Sequence, residues 1–292
     1  MKITVQVPAT SANLGPGFDS FGVALTLYNT ITIEETDCGL EITGCDEEYS
    51  GCDNMVYQSY KSAMDAMGLC IKGVKIHIEA DIPVARGLGS SAALLAAGAF
   101  AANALHGYPL STEQLLSVTN PLEGHPDNLA PALYGGLTAS MMNGREPVTA
   151  QCALHPDWQF IALIPDFQLS TSAARAVLPD SYSRNDAVFN TGRGALVIKA
   201  LENGDQKLLN TAMDDRIHQP YRRKLINDYD VIEKLVKQHN AAFALSGAGP
   251  TLLCVTKDAS LAEILTKELP QLTQANWKVA SLKAETNGAK VI

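Results

Sequence analysis

The order of apolar and polar positions changes period several times along the chain. Residues 2–7 alternate, with Ile3, Val5 and Val7 on one side, and predict a strand. The same alternation over 23–34 predicts one or two more. Helical spacing takes over at 54–67 and stops at Gly68. Residues 73–79 put Val74, Ile76 and Ile78 on one face of a half-buried strand. An Ala-rich helix is predicted over 90–105, and Ser111 and Gln114 have the spacing of a capping box that opens another. A short helix over 126–133 ends at Gly135-Gly136, and strands at 137–142 and 148–154 flank a turn at 143–147.

Beyond that turn the pattern predicts a strand at 158–164, then helices at 171–177, 186–202, 205–213 and 228–239. Strands at 241–245 and 251–255 flank a Gly-rich turn, and a helix at 261–269 and a strand at 277–282 follow. This order is that of an α+β protein. The change of character near residue 150 predicts two halves, 1–152 and 153–292.

A length of 292 residues suits two compact domains with an ample core. No run reaches the roughly 20 apolar residues of a membrane span, and residues 1–8 read as a strand rather than a signal peptide, so a cytoplasmic protein is expected. The six cysteines form no C-x-x-C pair and are expected as reduced thiols. Cys38, Cys45 and Cys52 recur every seven residues without a His-rich partner segment, which disfavours a zinc site. A net charge of −9 argues against nucleic acid as a partner. It also means that an anionic ligand needs a positive site built locally.

Pro83-Val84-Ala85-Arg86-Gly87-Leu88-Gly89-Ser90-Ser91-Ala92-Ala93 supplies one. Gly87 and Gly89 allow a tight turn and close approach to a ligand. Ser90 and Ser91 sit where the first helical N–H groups have no partner and the helix dipole is positive. Alone, this fits a structural turn with a serine cap or a nucleotide-triphosphate loop. No Walker sequence is present, and the dinucleotide fingerprint fails because residues 82–86 separate the glycines from the preceding strand.

The string resembles the ATP loop of the GHMP kinases. Other segments are similar to that family too: Pro8 to Asp19, Glu123-Gly124-His125-Pro126-Asp127-Asn128, His218-Gln219-Pro220-Tyr221-Arg222 and Leu245 to Thr251. The Gly15-Pro16-Gly17-Phe18-Asp19 continuation resembles the homoserine kinase branch, and Ser11 stands where several GHMP kinases carry lysine.

The resemblance implies a two-domain GHMP kinase fold. Its first domain is like a domain of ribosomal protein S5, its second is ferredoxin-like, and ATP and substrate lie between them. It implies ATP and Mg²⁺ as co-substrate and cofactor, L-homoserine as phosphoryl acceptor, no membrane partner, and room for a homodimer. Pro83, Arg86, Gly87, Leu88, Gly89, Ser90, Ser91, Ala92, Ala93 and Asn54 are then expected at ATP, and Ser91 and Glu123 at Mg²⁺. Arg175 and Arg222 are expected at the substrate carboxylate, Asp19 with Asn13 at its ammonium, and His125 and Thr171 beside them. Asp127 and Asn128 are expected near the reacting hydroxyl, with the role of Asp127 as base open. Plainer alternatives stand beside these: surface arginines, a turn capped by Asn13 and Asp19, and a helix-end carboxylate at Glu123. A GHMP kinase for another small alcohol, or a nucleotide-binding homologue without catalysis, is the alternative for the whole chain.

Overall fold

The computed structural model describes residues Met1–Ile292. The first part runs β1 (Lys2–Ala12), β2 (Phe21–Thr36), β3 (Gly39–Thr43), α1 (Met55–Ala66), β4 (Gly73–Ala80), α2 (Ser90–Leu105), α3 (Thr112–Glu123), α4 (Pro126–Tyr134), β5 (Leu137–Asn143) and β6 (Glu146–Cys152). It continues with β7 (Gln159–Pro165), α5 (Thr171–Ala176), α6 (Arg184–Asn203), α7 (Gln206–Ala212), α8 (Gln219–Arg222) and α9 (Tyr229–Gln238). β8 (Ala242–Leu245), β9 (Leu252–Thr256), α10 (Leu261–Leu272), β10 (Trp277–Leu282) and β11 (Lys290–Val291) complete it.

A 7-stranded sheet has the order β11-β1-β2-β4-β3, with β5 added to β2 and β6 to β5. The stretch expected as one or two strands is a single strand of 16 residues. Its length lets it serve two neighbours on one side: Phe21 to Val23 pair with β5, and Asn29 to Thr36 with β4. A 4-stranded sheet has the order β10-β7-β9-β8. The segment after β10 does not stay with this second sheet. Ala284 bridges to Leu25, and Lys290 and Val291 pair with Gln6 and Val5.

The side-chain period of a strand places the core. In β7, Ile161 and Leu163 face a smaller core with Ile232, Val236 and Leu265, whereas Phe160, Ala162 and Ile164 face the large one. Covered on both faces, β7 has lost the polar alternation of a half-buried strand. The large core takes Val5, Val7, Ile31 and Ile33 from the first sheet and Val197, Leu201 and Leu209 from α6 and α7. One apolar mass thus joins both sheets.

Within it, α2 is buried nearly all round, which explains its alanines. At Gly98 the backbone of α1 comes so close that a Cβ would overlap Val56 O. The predicted Ser111–Gln114 box is present, its two members bonded reciprocally, and Asn54 caps α1, its Oδ1 accepting from Val56 N and Tyr57 N.

Candidate functional site

The turn into α2 is held from three directions. Thr10 N donates to Leu88 O at 3.1 Å, and Thr251 N donates to Arg86 O at 3.2 Å. Ser246 Oγ lies 2.6 Å from Gly87 O and 2.8 Å from Ser11 Oγ, so the serine in the place of a lysine contacts the residue that holds the turn. Gly87 and Gly89 have φ of 75° and 66°, and side chains there would meet Ser246 O and Thr10 Oγ1. The first helical bond of α2 runs from Ala93 N to Gly89 O, which leaves the amides of Ser90, Ser91 and Ala92 without helical partners. Arg86 spends its guanidinium tying the loop to the end of β7: Nε donates to Pro165 O at 3.0 Å and Nη2 to Asp166 O at 3.0 Å.

Beside this amide cradle, Ser91 Oγ donates to Glu123 Oε1 at 2.8 Å. Burial pushes the Glu123 pKa above the usual carboxylate value, against the opposing pull of Ser91 and His125. Glu123 ends α3, and Gly124, with φ of 95°, turns the chain straight into α4. There His125 Nδ1 meets Asp127 Oδ1 at 2.6 Å, a bond that raises the His125 pKa. Asn128 Oδ1 accepts from Thr10 Oγ1 at 2.8 Å, which fixes the amide and turns its NH₂ toward the cleft.

The same cleft carries cations. The backbone from Asn13 to Asp19 coils through positive φ at Asn13, Leu14, Gly15 and Asp19. Asn13 is tied on both sides, donating to Gly247 O at 2.7 Å and accepting from Asp19 N at 2.9 Å. Arg175, on the one-turn helix α5, forms an ion pair with Asp19. Arg222 is 2 % exposed and donates only to neutral acceptors, among them Ala174 O at 3.1 Å and Gly247 O at 3.2 Å. Burial, and next the like charge of Arg175, lower its pKa.

These groups surround one cleft of about 680 Å³. Asn13, Asp19, Asn54, Arg86, Gly87, Gly89, Ser90, Ser91, Glu123, His125, Asp127, Asn128, Thr171, Arg175 and Arg222 all line it. Pro83, Leu88, Ala92 and Ala93 do not. The last three are buried in the large core, Leu88 as the plug beneath the loop. Asn54 reaches the cleft, but its side chain is engaged in capping α1 and in donating to Tyr49 O at 2.8 Å. Sequence reasoning missed Tyr49, Met55, Val84 and Leu122. They are exposed large apolar side chains that line the same cleft. They come from separate segments, and only the fold shows that they meet. Gly247 and Gly249 also line the cleft, and the Gly-rich turn was their signal.

The chain matches the family model for the GHMP kinases N terminal domain over residues 54–136 and that for the GHMP kinases C terminal over 197–272. It is 44% identical to a homoserine kinase of Clostridium botulinum, covering 99% of this chain and 98% of the relative. It is 41% identical to one of Caldicellulosiruptor bescii, covering 99% and 96%. The crystal structure of a homoserine kinase from Cytophaga hutchinsonii superposes with a TM-score of 0.91 at 26% identity, covering 100% of this chain and 97% of that one. A mevalonate kinase of L. major, in complex with R-mevalonate, shares the fold with a TM-score of 0.74 at 15% identity, covering 97% of this chain and 96% of that one. With this similarity running end to end, the chain belongs to the GHMP kinase family, in its homoserine kinase branch.

Proposed function

We propose that the protein transfers the γ-phosphoryl group of ATP to the side-chain hydroxyl of L-homoserine, giving O-phospho-L-homoserine and ADP, as a cytoplasmic step of threonine biosynthesis. One observation carries this reading. A helix N-terminus with free amides, two guanidiniums, Asp127 and Asn128 all line a single cleft. In this reading the halves 1–152 and 153–292 contribute the two sides.

The triphosphate sits on the amides of Ser90 to Ala92, with the exposed apolar group around Val84 under the base. The substrate is a zwitterion. Its carboxylate suits the planar donor forks of Arg175 and Arg222, and its ammonium suits Asp19. The hydroxyl then points back toward the loop, where the Asn128 amide can orient it. Its oxygen attacks the γ-phosphorus, the bond from that phosphorus to the β-bridging oxygen breaks, and the hydroxyl proton leaves to solvent or to Asp127. Such a transfer gains mostly from alignment and charge neutralisation, so a strong base is not required. The half-buried Glu123 carboxylate with the Ser91 hydroxyl is a fitting oxygen pair for Mg²⁺, which when bound neutralises charge on the phosphates.

The test is ADP release with homoserine, mevalonate, shikimate and galactose as acceptors. Turnover confined to homoserine is the expected result. Turnover of another alcohol, with none on homoserine, would sink the substrate and keep the family. ATP binding without any transfer would favour an inactive homologue.

A further inference from the structure

We infer that Phe18 is a positioning residue that aims Arg175 and Arg222 at one carboxylate, and thereby sets the preference for an amino acid over a simple alcohol. The inference rests on the functional reading above and deepens it.

The Phe18 ring centroid lies 5.7 Å from Arg175 Cζ and 5.1 Å from Arg222 Cζ. Both distances fall within the roughly 6 Å over which a ring face attracts a cation. The ring is itself held from behind, stacked on His218 with centroids 5.3 Å apart and planes 22° apart. His218 is fully buried, and its tautomer is fixed by its neighbours. Nε2 donates to Gly15 O at 2.8 Å, which leaves Nδ1 as an acceptor 3.4 Å from Arg222 Nη1. Burial pushes its pKa down, in keeping with a neutral ring.

Arg222 therefore has no anionic hydrogen-bond partner of its own. The nearby Asp215 carboxylate is already used by Ile217 N, His218 N, Gln219 N and the Asn190 amide. Two guanidiniums that repel each other are thus gathered around one phenyl ring, one of them buried with carboxylates nearby but none in hydrogen-bond contact. A ligand carboxylate supplies what is missing. The ring restrains the long side chain of Arg175, whose ordering cost the ligand would otherwise bear.

The experiment compares the wild-type enzyme with Phe18→Leu, Phe18→Met and Phe18→Tyr. The acceptors are L-homoserine and 3-aminopropan-1-ol, which is homoserine without its carboxylate, read as kcat/KM or as Ki against homoserine. Phe18→Leu and Phe18→Met should lower kcat/KM for homoserine by roughly tenfold, mainly through KM. The KM for ATP, the Tm and the constants for 3-aminopropan-1-ol should stay put. Phe18→Tyr, which keeps the ring, should retain most of the wild-type value. Equal losses on both ligands, or no loss in the two ring-less variants, would overturn the role of Phe18. A wild-type enzyme silent on homoserine would instead overturn the functional reading itself, and this inference with it.

Discussion

Arg175 and Asp19 meet as a two-point ion pair, Nη2 to Oδ1 at 2.8 Å and Nη1 to Oδ2 at 3.1 Å. Each is more than a third exposed, so the pair adds little stability and is easily exchanged for other partners. A zwitterion offers both replacements at once: a carboxylate for the arginine and an ammonium for the aspartate. Arg175→Ala should therefore lower kcat/KM for homoserine about 100-fold, as expected for a lost charge-assisted contact. The KM for ATP should stay within about twofold. Initial rates with each substrate varied in turn separate the two constants, and equal losses would show that Arg175 only holds the fold.

Glu123 presents a half-buried carboxylate to Ser91, a few residues before Asp127. Glu123→Gln keeps the shape and removes the charge. The Mg²⁺ concentration for half-maximal rate should rise about tenfold or more. A Mg²⁺ titration at fixed ATP checks this, and an unmoved midpoint would remove Glu123 from the metal site.

At Gly98 the general rule for helices is reversed. Replacing glycine by alanine in a helix interior normally stabilises by about 1 kcal/mol. Here the new methyl would run into Val56 O, and overpacking of a tight core costs about 1–3 kcal/mol. Gly98→Ala should lower the Tm, read by calorimetry. A rise would mean that α1 moves aside freely.

Asp228 gives a pH dependence. Burial pushes its pKa up, but donors from Gln274 N, Trp277 Nε1 and Ala275 N outweigh this and hold it below the usual carboxylate value. A depressed folded-state pKa contributes stability that is complete above the unfolded value of about 4 and is lost as pH falls through the folded one. Asp228→Asn should thus cost about 1–3 kcal/mol in urea unfolding at pH 7. The gap from wild type should narrow below about pH 4. A constant gap across that range would show that Asp228 acts only by shape.

Much of this was legible because the signals are local. Asn54, the Ser111–Gln114 box and the glycines around α2 fix helix starts from neighbours only a few residues away. β3, α8 and β11 escaped notice for the opposite reason. β3 is a short edge strand whose pairing with β4 crosses 34 positions, as in Gly39 with Gly73. β11 has only two residues and no pattern of its own. In the site, the loop string marked the right segment but not which side chains face the ligand. Leu88, Ala92 and Ala93 turn into the core because the strand of Thr10 passes directly beneath. Phe18 stood in the string that marked the branch, but a lone phenylalanine in a Gly-rich turn says nothing of two arginines more than a hundred residues away.

The return of residues 284–291 to the first sheet has a further consequence during synthesis on the ribosome. Glu285 N donates to Ala24 O, Ala289 N donates to Ala132 O, and Lys290 pairs with Gln6. The strand that leads to Asn13 and the helix that bears Asp127 are thus fastened by residues translated more than 150 positions later. The emerging first half waits with an open sheet edge until that strap arrives. A nascent chain stalled or clipped before residue 284 would carry every residue of the cleft and still lack the part that closes its frame.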